Sequence, residues 1–332
     1  MMHAQSPAQV DVVIPTRNRG ALIEAAITSI LASDYTAFTL WVVDQSDNDA
    51  TEQTVLGFAR ADSRVRYLRL ASHGISAARN SSVAISAAAC ILFTDDDCRM
   101  TAGWIGALVA ELSQPGVAAT FGRVLPECSE PPPGAQVSPS ITMATKTATT
   151  RMVYEGNRFN LGFGHGANMA IRRETFDQLG GFDELLGVGG PLRSWEDRDF
   201  GYRILAAGGR IVYAPDAVLF HRHWRGWNEL RQVSRDYALG AGAAAAKYLR
   251  CYDIGGFVVL GEWLLSQGLR QIISGLLKWR SWQKVYVGLQ QLIFPWVGLV
   301  YGLRYAVDRE RGLYQSPQVR PDTSAPSKST LA

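Results

Sequence analysis

The sequence CILFTDDD, at residues 90–97, is an apolar run that ends abruptly in three consecutive acidic residues. Its apolar and β-favouring side chains predict a buried strand that delivers Asp95, Asp96 and Asp97 to its carboxyl end. Three adjacent carboxylates repel one another, so a folded protein keeps them together where a cation or strong donors offset their charge. The segment therefore predicts a metal or ligand site, and the alternative is an acidic loop that caps the next helix.

The residues before this segment repeat a strand-and-helix pattern. Strands are predicted at 9–14, 38–43 and 65–70, and helices at 22–31, 51–59 and 73–88. Strands that alternate with helices at this spacing indicate parallel βαβ units, and hence an α/β, doubly wound sheet flanked by helices. Such sheets bind ligands at the carboxyl ends of their strands. Residues 15–18, Asp44 and residues 95–97 all follow strands, so we expect them to line one crevice.

The residues after the acidic segment continue this fold with less regular spacing. A helix is predicted at 104–112, a strand at 117–125, a short helix at 174–179, a helix from about 194, and short strands at 211–213 and 218–220. Residues 125–160 are rich in Pro, Ser and Thr and predict a long loop. We expect residues 1–225 to form one α/β domain that contains this loop.

Beyond Trp224 the pattern changes to helices alone. They are predicted at 228–250, 255–279 and 283–308. We therefore expect residues 226–312 to form a C-terminal helical segment. Residues 313–332, rich in Pro, Ser and Thr, predict a disordered tail.

Part of this helical segment has the composition of a membrane-associated chain. Residues 285–303 contain no charged residue and approach the length of a membrane span. Pro295 and three glycines weaken this stretch as a soluble helix, and Lys, Arg and Trp flank it, which suits a membrane interface. Residues 255–277 are apolar but interrupted by Glu262 and Arg270, which favours a helix that lies on the bilayer. We expect a membrane-surface contact, and the alternative is an ordinary buried helical subdomain.

Composition limits the compartment and the class of partner. The chain is 47% apolar and 19% charged, as is ordinary for a globular protein, and its net charge of +3 does not indicate a nucleic-acid binder. Residues 247–311 carry nine Lys and Arg against four Asp and Glu, so the positive charge lies mainly there. The four cysteines form no C-x-x-C pair, and residues 1–10 show no signal peptide. A reducing cytoplasm is therefore expected.

Five short motifs, taken in order, resemble glycosyltransferase family 2, an inverting family with the GT-A fold and nucleotide-sugar donors. The motifs are VVIPTRNR at 12–19, VVDQS at 42–46, GISAARN at 74–80, DDD at 95–97 and SWEDRDFGYR at 194–203. The resemblance covers roughly residues 10–224 and implies a GT-A type, mostly parallel sheet. Gln45 stands where the family usually has a second acid, which leaves the base of the donor open.

The resemblance also implies which residues hold the donor. The implied nucleotide-sugar contacts are Pro15, Thr16, Asn18, Asp44, Arg79 and Asp95. Asp97, Asp95 and His221 would hold Mg²⁺ or Mn²⁺, a cation that offsets the charge of the leaving nucleoside diphosphate. Asp96 is expected to point elsewhere. The alternatives are a helix-surface arginine for Arg79 and a surface histidine for His221.

The last of these motifs implies the catalytic base. In the resemblance, Asp197 takes the proton from the acceptor hydroxyl as that hydroxyl attacks the anomeric carbon, and one base suffices for a direct, inverting displacement. The acceptor contacts are implied at Asp183, Glu184, Trp195 and Glu196. The alternatives are acids that a helix dipole favours at its start and, for Trp195, a place in the core.

These features together predict a metal-dependent inverting glycosyltransferase of hexosyltransferase type, at the inner face of the cell membrane. It would move a sugar from a nucleoside-diphosphate sugar to a hydroxyl of a glycan, lipid-linked or similar acceptor. The alternative is a catalytically degenerate domain that acts as a membrane or assembly scaffold, although a scaffold has no need of uncompensated carboxylates. Both nicotinamide-dependent dehydrogenases and sugar nucleotidyltransferases need a Gly-rich turn after the first strand, where this chain has PTRN at 15–18.

Overall fold

The structure is a computed structural model, and it describes residues 8–127, 137–139, 146–222, 224–251 and 253–315. The strands among these residues are β1 (Val10–Thr16), β2 (Phe38–Asp44), β3 (Val65–Arg69), β4 (Cys90–Thr94), β5 (Cys98–Met100), β6 (Val117–Pro126), β7 (Val137–Pro139), β8 (Met152–Tyr154), β9 (Asn168–Arg172), β10 (Arg210–His221), β11 (Trp224–Gly226), β12 (Val307–Asp308) and β13 (Leu313–Tyr314). The helices are α1 (Gly20–Leu31), α2 (Ala50–Ala61), α3 (Ile75–Ile85), α4 (Trp104–Leu112), α5 (Arg173–Leu179), α6 (Glu196–Ala206), α7 (Trp227–Arg250), α8 (Gly255–Trp263), α9 (Arg270–Leu277) and α10 (Trp282–Gly302), and a π-helix, Leu264–Leu269, joins α8 to α9.

A sheet to which the described residues contribute nine strands forms the centre of the fold. Its order is β3-β2-β1-β4-β9-β6-β10-β5, and β8 also pairs with β10. Strand β1 is parallel to β2 and β4, β2 is parallel to β3, and β6 is parallel to β10. Strand β9 lies antiparallel between β4 and β6, and β5 and β8 are antiparallel to β10. The predicted α/β, mostly parallel sheet is confirmed.

Alternate residues of β1 pack into two different apolar cores. Val10, Val12 and Ile14 belong to the cluster that also contains residues of α1 and α4, whereas Val13 belongs to a cluster on the opposite face. Successive side chains of a strand point to opposite faces, so an apolar strand of this kind is stable only where helices cover both sides. The result is a three-layer arrangement whose strand ends are free to form a site.

Two predictions about irregular segments were wrong, and both errors come from long-range pairing. The predicted strands at 211–213 and 218–220 are one strand, β10, whose register against β6 shifts between Ala214 and Val218. Pro215 has no N–H group and cannot pair there. The loop predicted at 125–160 contains β7 and β8, and its residues 128–136 and 140–145 lie outside the described ones.

The C-terminal helices are present, but their ends differ from the prediction. Helix α10 ends at Gly302 rather than at 308, and the helix predicted at 255–279 contains the π-helix. Strands β12 and β13 form a small antiparallel ribbon, so residues 313 and 314 are ordered, contrary to the predicted tail. Residues 316–332 of that tail lie outside the described residues.

Glycines bring α7 and α10 into close contact. A Cβ atom at Gly242 would collide with the backbone of Pro295, and one at Gly298 would collide with the backbone of Leu239. Because neither backbone can move freely, these positions require glycine. The proline and glycines of 285–303 therefore serve helix packing instead of weakening the helix.

The C-terminal helices share a core with the α/β sheet. Ala244, Tyr248 and Trp263 belong to the same apolar cluster as Phe200 and Ile211. The boundary at residue 225 stays a prediction. What the structure adds is that the helical segment packs directly on the elements that carry the candidate site.

Candidate active site

The carboxyl ends of β1, β2 and β4 bring the predicted donor residues to one edge of the sheet. The register pairs Thr16 of β1 with Asp44 of β2, and β4 ends at Thr94, directly before the three acids. Thr16 Oγ1 donates a hydrogen bond to Asp96 Oδ2 across 2.7 Å, so β1 and the acidic loop are in contact. The residues that the strand pattern predicts at the carboxyl ends of β1, β2 and β4 therefore lie at one edge of the sheet.

Asp96 is the most buried of the three acids. Arg19 Nη1 lies 2.8 Å from its Oδ1, and the residue is almost fully buried. Burial raises the pKa of Asp96 to about 6, although the charge of Arg19 opposes the shift. The side chain is thus bonded to Thr16 and Arg19, and it shares Arg19 Nη1 with Asp97. The expectation that Asp96 points elsewhere stays a prediction.

Asp97 and Asp95 lie beside His221. His221 Nε2 is 3.4 Å from Asp97 Oδ1 and 4.0 Å from Asp95 Oδ2. Asp97 Oδ1 is buried and has no hydrogen-bond partner among the described residues. A buried, unpartnered carboxylate oxygen is costly, and a divalent cation between the carboxylates and the imidazole would satisfy it. The donor set of two carboxylates and one imidazole therefore fits Mg²⁺ or Mn²⁺.

The Cys98 thiol lies within the same small group. Ligand atoms of Asp97, Cys98 and His221 are all within 4.8 Å of one another. Burial, followed by the charges of Asp95 and Asp97, raises the pKa of the Cys98 thiol well above its ordinary value. Mg²⁺ and Mn²⁺ prefer oxygen ligands to a thiol, so the carboxylates of Asp95 and Asp97 are the better candidates.

Arg19 is a site residue that the sequence analysis missed. Its Nη1 bridges Asp96 and Asp97 at 2.8 and 3.1 Å, and 42% of its side chain is exposed. The sequence feature that could have indicated Arg19 is its position directly after Asn18 in the first motif, before the predicted helix. Nothing local separates it from Arg17, which pairs instead with Asp47 on the surface.

Arg79 connects the two walls of the crevice. Its side chain is 1% exposed, with Nη1 3.2 Å from Glu196 Oε1 and Nη2 3.9 Å from Asp95 Oδ1. Nη2 also donates to the Gly166 carbonyl at 3.2 Å. The predicted nucleotide contact thus occupies a buried position between the acidic loop and the start of α6.

Asp197 is half-buried at the start of α6. Its Oδ2 accepts a hydrogen bond from Gly166 N at 2.7 Å, and a Cβ atom at Gly166 would lie only 3.0 Å from the Asp197 Cβ. Beside it, burial raises the pKa of Glu196 to about 7, with the Asp197 charge as the next cause. Two adjacent acids therefore have different environments, which is a common arrangement at proton-transfer sites.

The residues predicted at the nucleotide end are held by hydrogen bonds, with Asp44 buried and Asn18 exposed. Asp44 is fully buried and accepts hydrogen bonds from Tyr67 Oη at 2.8 Å and Ser46 N at 2.9 Å. Asn18 adopts a left-handed φ of 56° and exchanges hydrogen bonds with Asp47. In this arrangement Asp44 shapes the turn that a nucleotide would contact.

Three of the predicted acceptor residues have partners elsewhere in the fold and do not contact Asp197. Asp183 is buried against Lys247, with Nζ 2.7 Å from its Oδ2. Trp195 is 4% exposed and packs edge-to-face on Trp263, with ring centroids 5.1 Å apart. Glu184 is exposed and accepts a hydrogen bond from Asn80. The core alternative describes the position of Trp195.

A family model described as Glycosyl transferase family 2 matches residues 11–180, which is half of the chain. The chain belongs to glycosyltransferase family 2. The matched segment contains the crevice-forming strands of this family 2 chain and its acidic loop, but it ends before Asp197 and His221.

Several known proteins are similar to this family 2 chain. A pre-mycofactocin glycosyltransferase of Mycobacterium tuberculosis is 26% identical over 275 residues, 82% of this chain and 54% of that protein. The chain thus spans about half the length of that curated relative. A Campylobacter jejuni enzyme named GalNAc(5)-diNAcBac-PP-undecaprenol beta-1,3-glucosyltransferase is 28% identical over 121 residues, 36% of this chain and 39% of that protein.

A solved structure resembles the family 2 chain over most of its length. It is the mannosyltransferase PcManGT from Pyrobaculum calidifontis in complex with GDP-Man and Mn²⁺, which covers 90% of this chain and 88% of its own, with a TM-score of 0.60 and 17% identity. This likeness concerns the fold, and it confirms the predicted GT-A type architecture with C-terminal helices.

Proposed function

We propose that the chain is a metal-dependent inverting glycosyltransferase that moves a sugar from a nucleoside-diphosphate sugar to an acceptor hydroxyl. The observation that carries this proposal is the buried Arg79, which lies between Asp95 of the acidic loop and Glu196 at the start of α6, while His221 lies beside Asp95 and Asp97. Family membership and the GT-A fold support it.

We propose that Asp97, Asp95 and His221 hold Mg²⁺ or Mn²⁺. The unpartnered Asp97 oxygen supports this assignment, and so does the Mn²⁺ of the structural neighbour named above. When bound, a divalent cation would stabilise the negative charge that develops on the leaving diphosphate. The residues themselves fix where the diphosphate lies relative to the strand ends.

Arg19 is proposed to exchange partners when the donor binds. In the structure its guanidinium neutralises Asp96 and Asp97, and almost half of its side chain is exposed. A planar guanidinium binds phosphate oxygens well, so a diphosphate beside Asp97 would attract it. Arg19 would then remain bonded to Asp96 and turn its other N–H groups toward the phosphates of the nucleotide sugar.

Asp197 is proposed as the general base. Its carboxylate is half-buried, and the Gly166 amide holds Oδ2 in place. An acceptor hydroxyl that binds beside it would lose its proton to Asp197 as its oxygen attacks the anomeric carbon and the diphosphate departs from the opposite face. Asp183, Glu184, Trp195 and Glu196 remain candidates for the acceptor side, and their placement favours Glu196, which lies beside the base.

The acceptor is proposed to be a glycan or lipid-linked molecule that the protein meets at the inner face of the cell membrane. The undecaprenol-linked acceptor in the name of the Campylobacter relative supports a lipid-linked class. We define the C-terminal apolar surface as a set of exposed large side chains from α8, the π-helix, α9 and α10, together with Trp279 between α9 and α10: Phe257, Leu265, Leu269, Ile273, Leu276, Leu277, Trp279, Trp282, Leu289, Ile293, Trp296 and Val300.

This surface has the chemistry of a bilayer contact. At its turn, Lys284 Nζ lies 3.9 Å from the ring centroid of Trp279, and Lys278 and Arg280 are adjacent. Tryptophan and basic residues together favour the interface of an anionic membrane. Among the described residues, Trp282–Gly302 is the helix long and apolar enough to cross a membrane, but 44% of its apolar window is buried within the protein. We therefore propose that it lies on the bilayer.

The proposed function is tested by nucleotide binding with and without metal. Titration of UDP, GDP and dTDP by calorimetry should show tighter binding of one of them with Mn²⁺ than with a chelator, and its sugar derivative should raise the melting temperature. The variant Asp97→Asn should lose the metal dependence, Arg19→Gln should bind the diphosphate more weakly, and Asp177→Asn, at an exposed site on α5, should match the wild type. Equal affinities with Mn²⁺ and with chelator would contradict the metal assignment.

A further inference from the structure

The residue before α6 has a strained backbone. Trp195 has a φ of 87°, in the left-handed region that residues with bulky side chains rarely adopt. Such a conformation persists only where the surroundings over-determine it. Its carbonyl accepts the first hydrogen bond of the helix, from Asp199 N at 2.8 Å, so the orientation of Trp195 sets the direction in which the first turn of α6 starts.

The C-terminal helices hold this strained residue. The indole of Trp195 packs edge-to-face on Trp263 of α8, and Trp195 Nε1 has no hydrogen-bond partner among the described residues, so ring packing fixes the side chain. Ser194 Oγ donates to the Asp236 carbonyl of α7 at 3.0 Å. A Cβ atom at Gly240 would collide with Ser194, so this glycine permits the approach.

The same helices also bind α6 beyond Asp197. Lys247 Nζ of α7 lies 2.7 Å from Asp199 Oδ1, with both side chains fully buried. Tyr248 Oη donates to the same carboxylate at 3.1 Å, and the Tyr248 and Tyr202 rings stack with centroids 4.1 Å apart. Contacts with the C-terminal helices thus flank Asp197 on both sides along the chain.

Asp197 itself points the other way. Its Oδ2 is bonded to Gly166 N, in the segment before β9, and not to the C-terminal helices. The C-terminal helices therefore fix the backbone around the proposed base, and Gly166 fixes its carboxylate. A change in the C-terminal helices would move the carboxylate relative to the acidic loop of Asp95 and Asp97.

We propose that Trp263 is a positioning residue for Asp197, acting through Trp195. The inference rests on the proposed role of Asp197 and assigns to the C-terminal helices a part in setting the geometry of the base. A misplacement of a catalytic group by about 1 Å lowers turnover on the order of 100-fold. Donor binding depends on strands β1, β2 and β4 and on the acidic loop, so it should be independent of Trp263.

The test compares Trp263→Ala with Trp263→Phe and with a distant core variant, Phe38→Ala. Phe38 is buried at the amino end of β2, away from the crevice, and its truncation controls for general loss of stability. In Trp263→Ala, turnover should fall about 10- to 100-fold, while KM for the nucleotide sugar and the Kd of its nucleoside diphosphate with Mn²⁺ stay at the wild-type values. Trp263→Phe keeps a ring against Trp195 and should recover most of the turnover.

Hydrogen exchange supplies a readout that does not depend on catalysis. Mass spectrometry of peptides covering residues 194–206 should show faster exchange in Trp263→Ala and wild-type exchange in Phe38→Ala. If Trp263→Ala fails to fold, Ser194→Ala takes its place, because it removes the hydrogen bonds from Ser194 Oγ to the Asp236 and Tyr237 carbonyls of α7. That variant should also lower turnover and leave the nucleotide Kd unchanged.

The outcomes separate this inference from the proposed function. Wild-type turnover in folded Trp263→Ala or Ser194→Ala would overturn the positioning role. The same conclusion would follow if Phe38→Ala had the melting temperature of Trp263→Ala and lost as much turnover. Failure of Trp263→Phe to recover turnover would do the same. If no nucleotide sugar is turned over by the wild type, the proposed function fails, and the exchange experiment still decides whether Trp263 holds the start of α6.

Discussion

Asp95, Asp96 and Asp97 are neighbours in the chain but have different partners in the fold. Asp96 is bonded to Thr16 and Arg19, and its charge is largely compensated by the protein. Asp97 retains a buried oxygen without a partner among the described residues, and burial raises the pKa of Asp95, with Asp97 as the next cause. The buried Asp97 oxygen without a partner therefore lies on the side of the loop that faces His221, where we propose that a cation binds.

At the scale of single residues, the most direct prediction concerns Asp197→Asn. Asparagine keeps the shape of the side chain and can still accept the hydrogen bond of Gly166 N, but it cannot take a proton. We expect the variant to fold and bind the nucleoside diphosphate normally and to turn over about 100- to 10,000-fold more slowly. Sugar transfer and calorimetry measure the two quantities.

The matched control for this substitution is Asp177→Asn on the exposed side of α5. It makes the same chemical change outside the crevice and should keep wild-type turnover. Unchanged turnover in Asp197→Asn would remove Asp197 from the mechanism. Another proton acceptor, with Glu196 as the first candidate, would then have to be considered.

The sequence could predict which residue types the site contains, but not how each one is used. The strand pattern placed Asp95, Asp97 and His221 at strand ends. In the structure, His221 Nε2 lies 3.4 Å from Asp97 Oδ1 and 4.0 Å from Asp95 Oδ2. The sequence could not separate Arg19 from Arg17, or anticipate that Asp183 pairs with Lys247. Those outcomes depend on contacts between residues far apart in the chain, which no local pattern records.

At the scale of secondary-structure elements, replacement of glycine by alanine should have opposite effects on stability at two helical positions. A Cβ atom at Gly57, inside α2, meets nothing within 4 Å, whereas one at Gly242 would collide with the backbone of Pro295. Gly57→Ala should therefore raise the free energy of unfolding by about 0.5–1 kcal/mol, because alanine loses less conformational entropy on folding. Gly242→Ala should lower it by about 1–3 kcal/mol, because α7 and α10 must separate.

Denaturant unfolding of the two variants measures both changes, and each serves as the control for the other. If Gly242→Ala were stabilising, the close approach of α7 and α10 would not exist in solution. If Gly57→Ala were destabilising, α2 would carry a contact on its open side that the described residues do not show.

The elements that sequence patterns predicted well are those whose own residues determine them. Strands β1, β2 and β4 are rich in apolar residues and are followed by turn residues, and α1 and α2 have helical periodicity. The three-residue strands β5, β7 and β8 exist only because another strand lies beside them. The sequence of such a segment contains too few residues for a period to be detected, so its structure comes from the pairing.

At the scale of the whole molecule, the C-terminal apolar surface predicts binding to anionic vesicles. Replacement of three of its most exposed residues, Leu277, Trp279 and Trp282, by serine should abolish flotation with phosphatidylglycerol vesicles, because the triple variant loses both apolar area and interfacial indoles. These side chains are outside the core, so the folded state should be retained.

The control variant replaces Leu56 and Val188 by serine, since both are exposed apolar residues outside that surface. It should float like the wild type. Binding of the wild type to phosphatidylcholine should be weaker, because the basic residues near Trp279 would lose their lipid partners. Flotation of the triple serine variant at the wild-type level would contradict the bilayer contact. If the wild-type protein instead formed a dimer through this surface, the surface would be assigned to contact with a second copy of the chain.

The general architecture could be predicted because βαβ units have few alternatives for packing. The relation between the α/β sheet and the C-terminal helices could not. Residues 285–303 allowed either a membrane-surface helix or an ordinary buried helical subdomain, since the sequence of an apolar helix is similar whether lipid or protein covers it. In the structure one side of this helix is buried, where Gln291 is bonded to Ser234, and the other is exposed, where Trp296 lies.

The bracing of α6 by later residues has a consequence for the newly made protein. Chains emerge from the ribosome amino end first, and their elements fold in that order. The acidic loop and strands β1 to β4 are made early, whereas Trp263 is made much later, and Tyr314, whose N–H bonds to Asp183, later still. The strands proposed to hold the nucleotide are therefore made first. The contacts that fix the backbone around Asp197, the proposed base, form only after Trp263 has emerged, together with helices of the surface proposed to meet lipid.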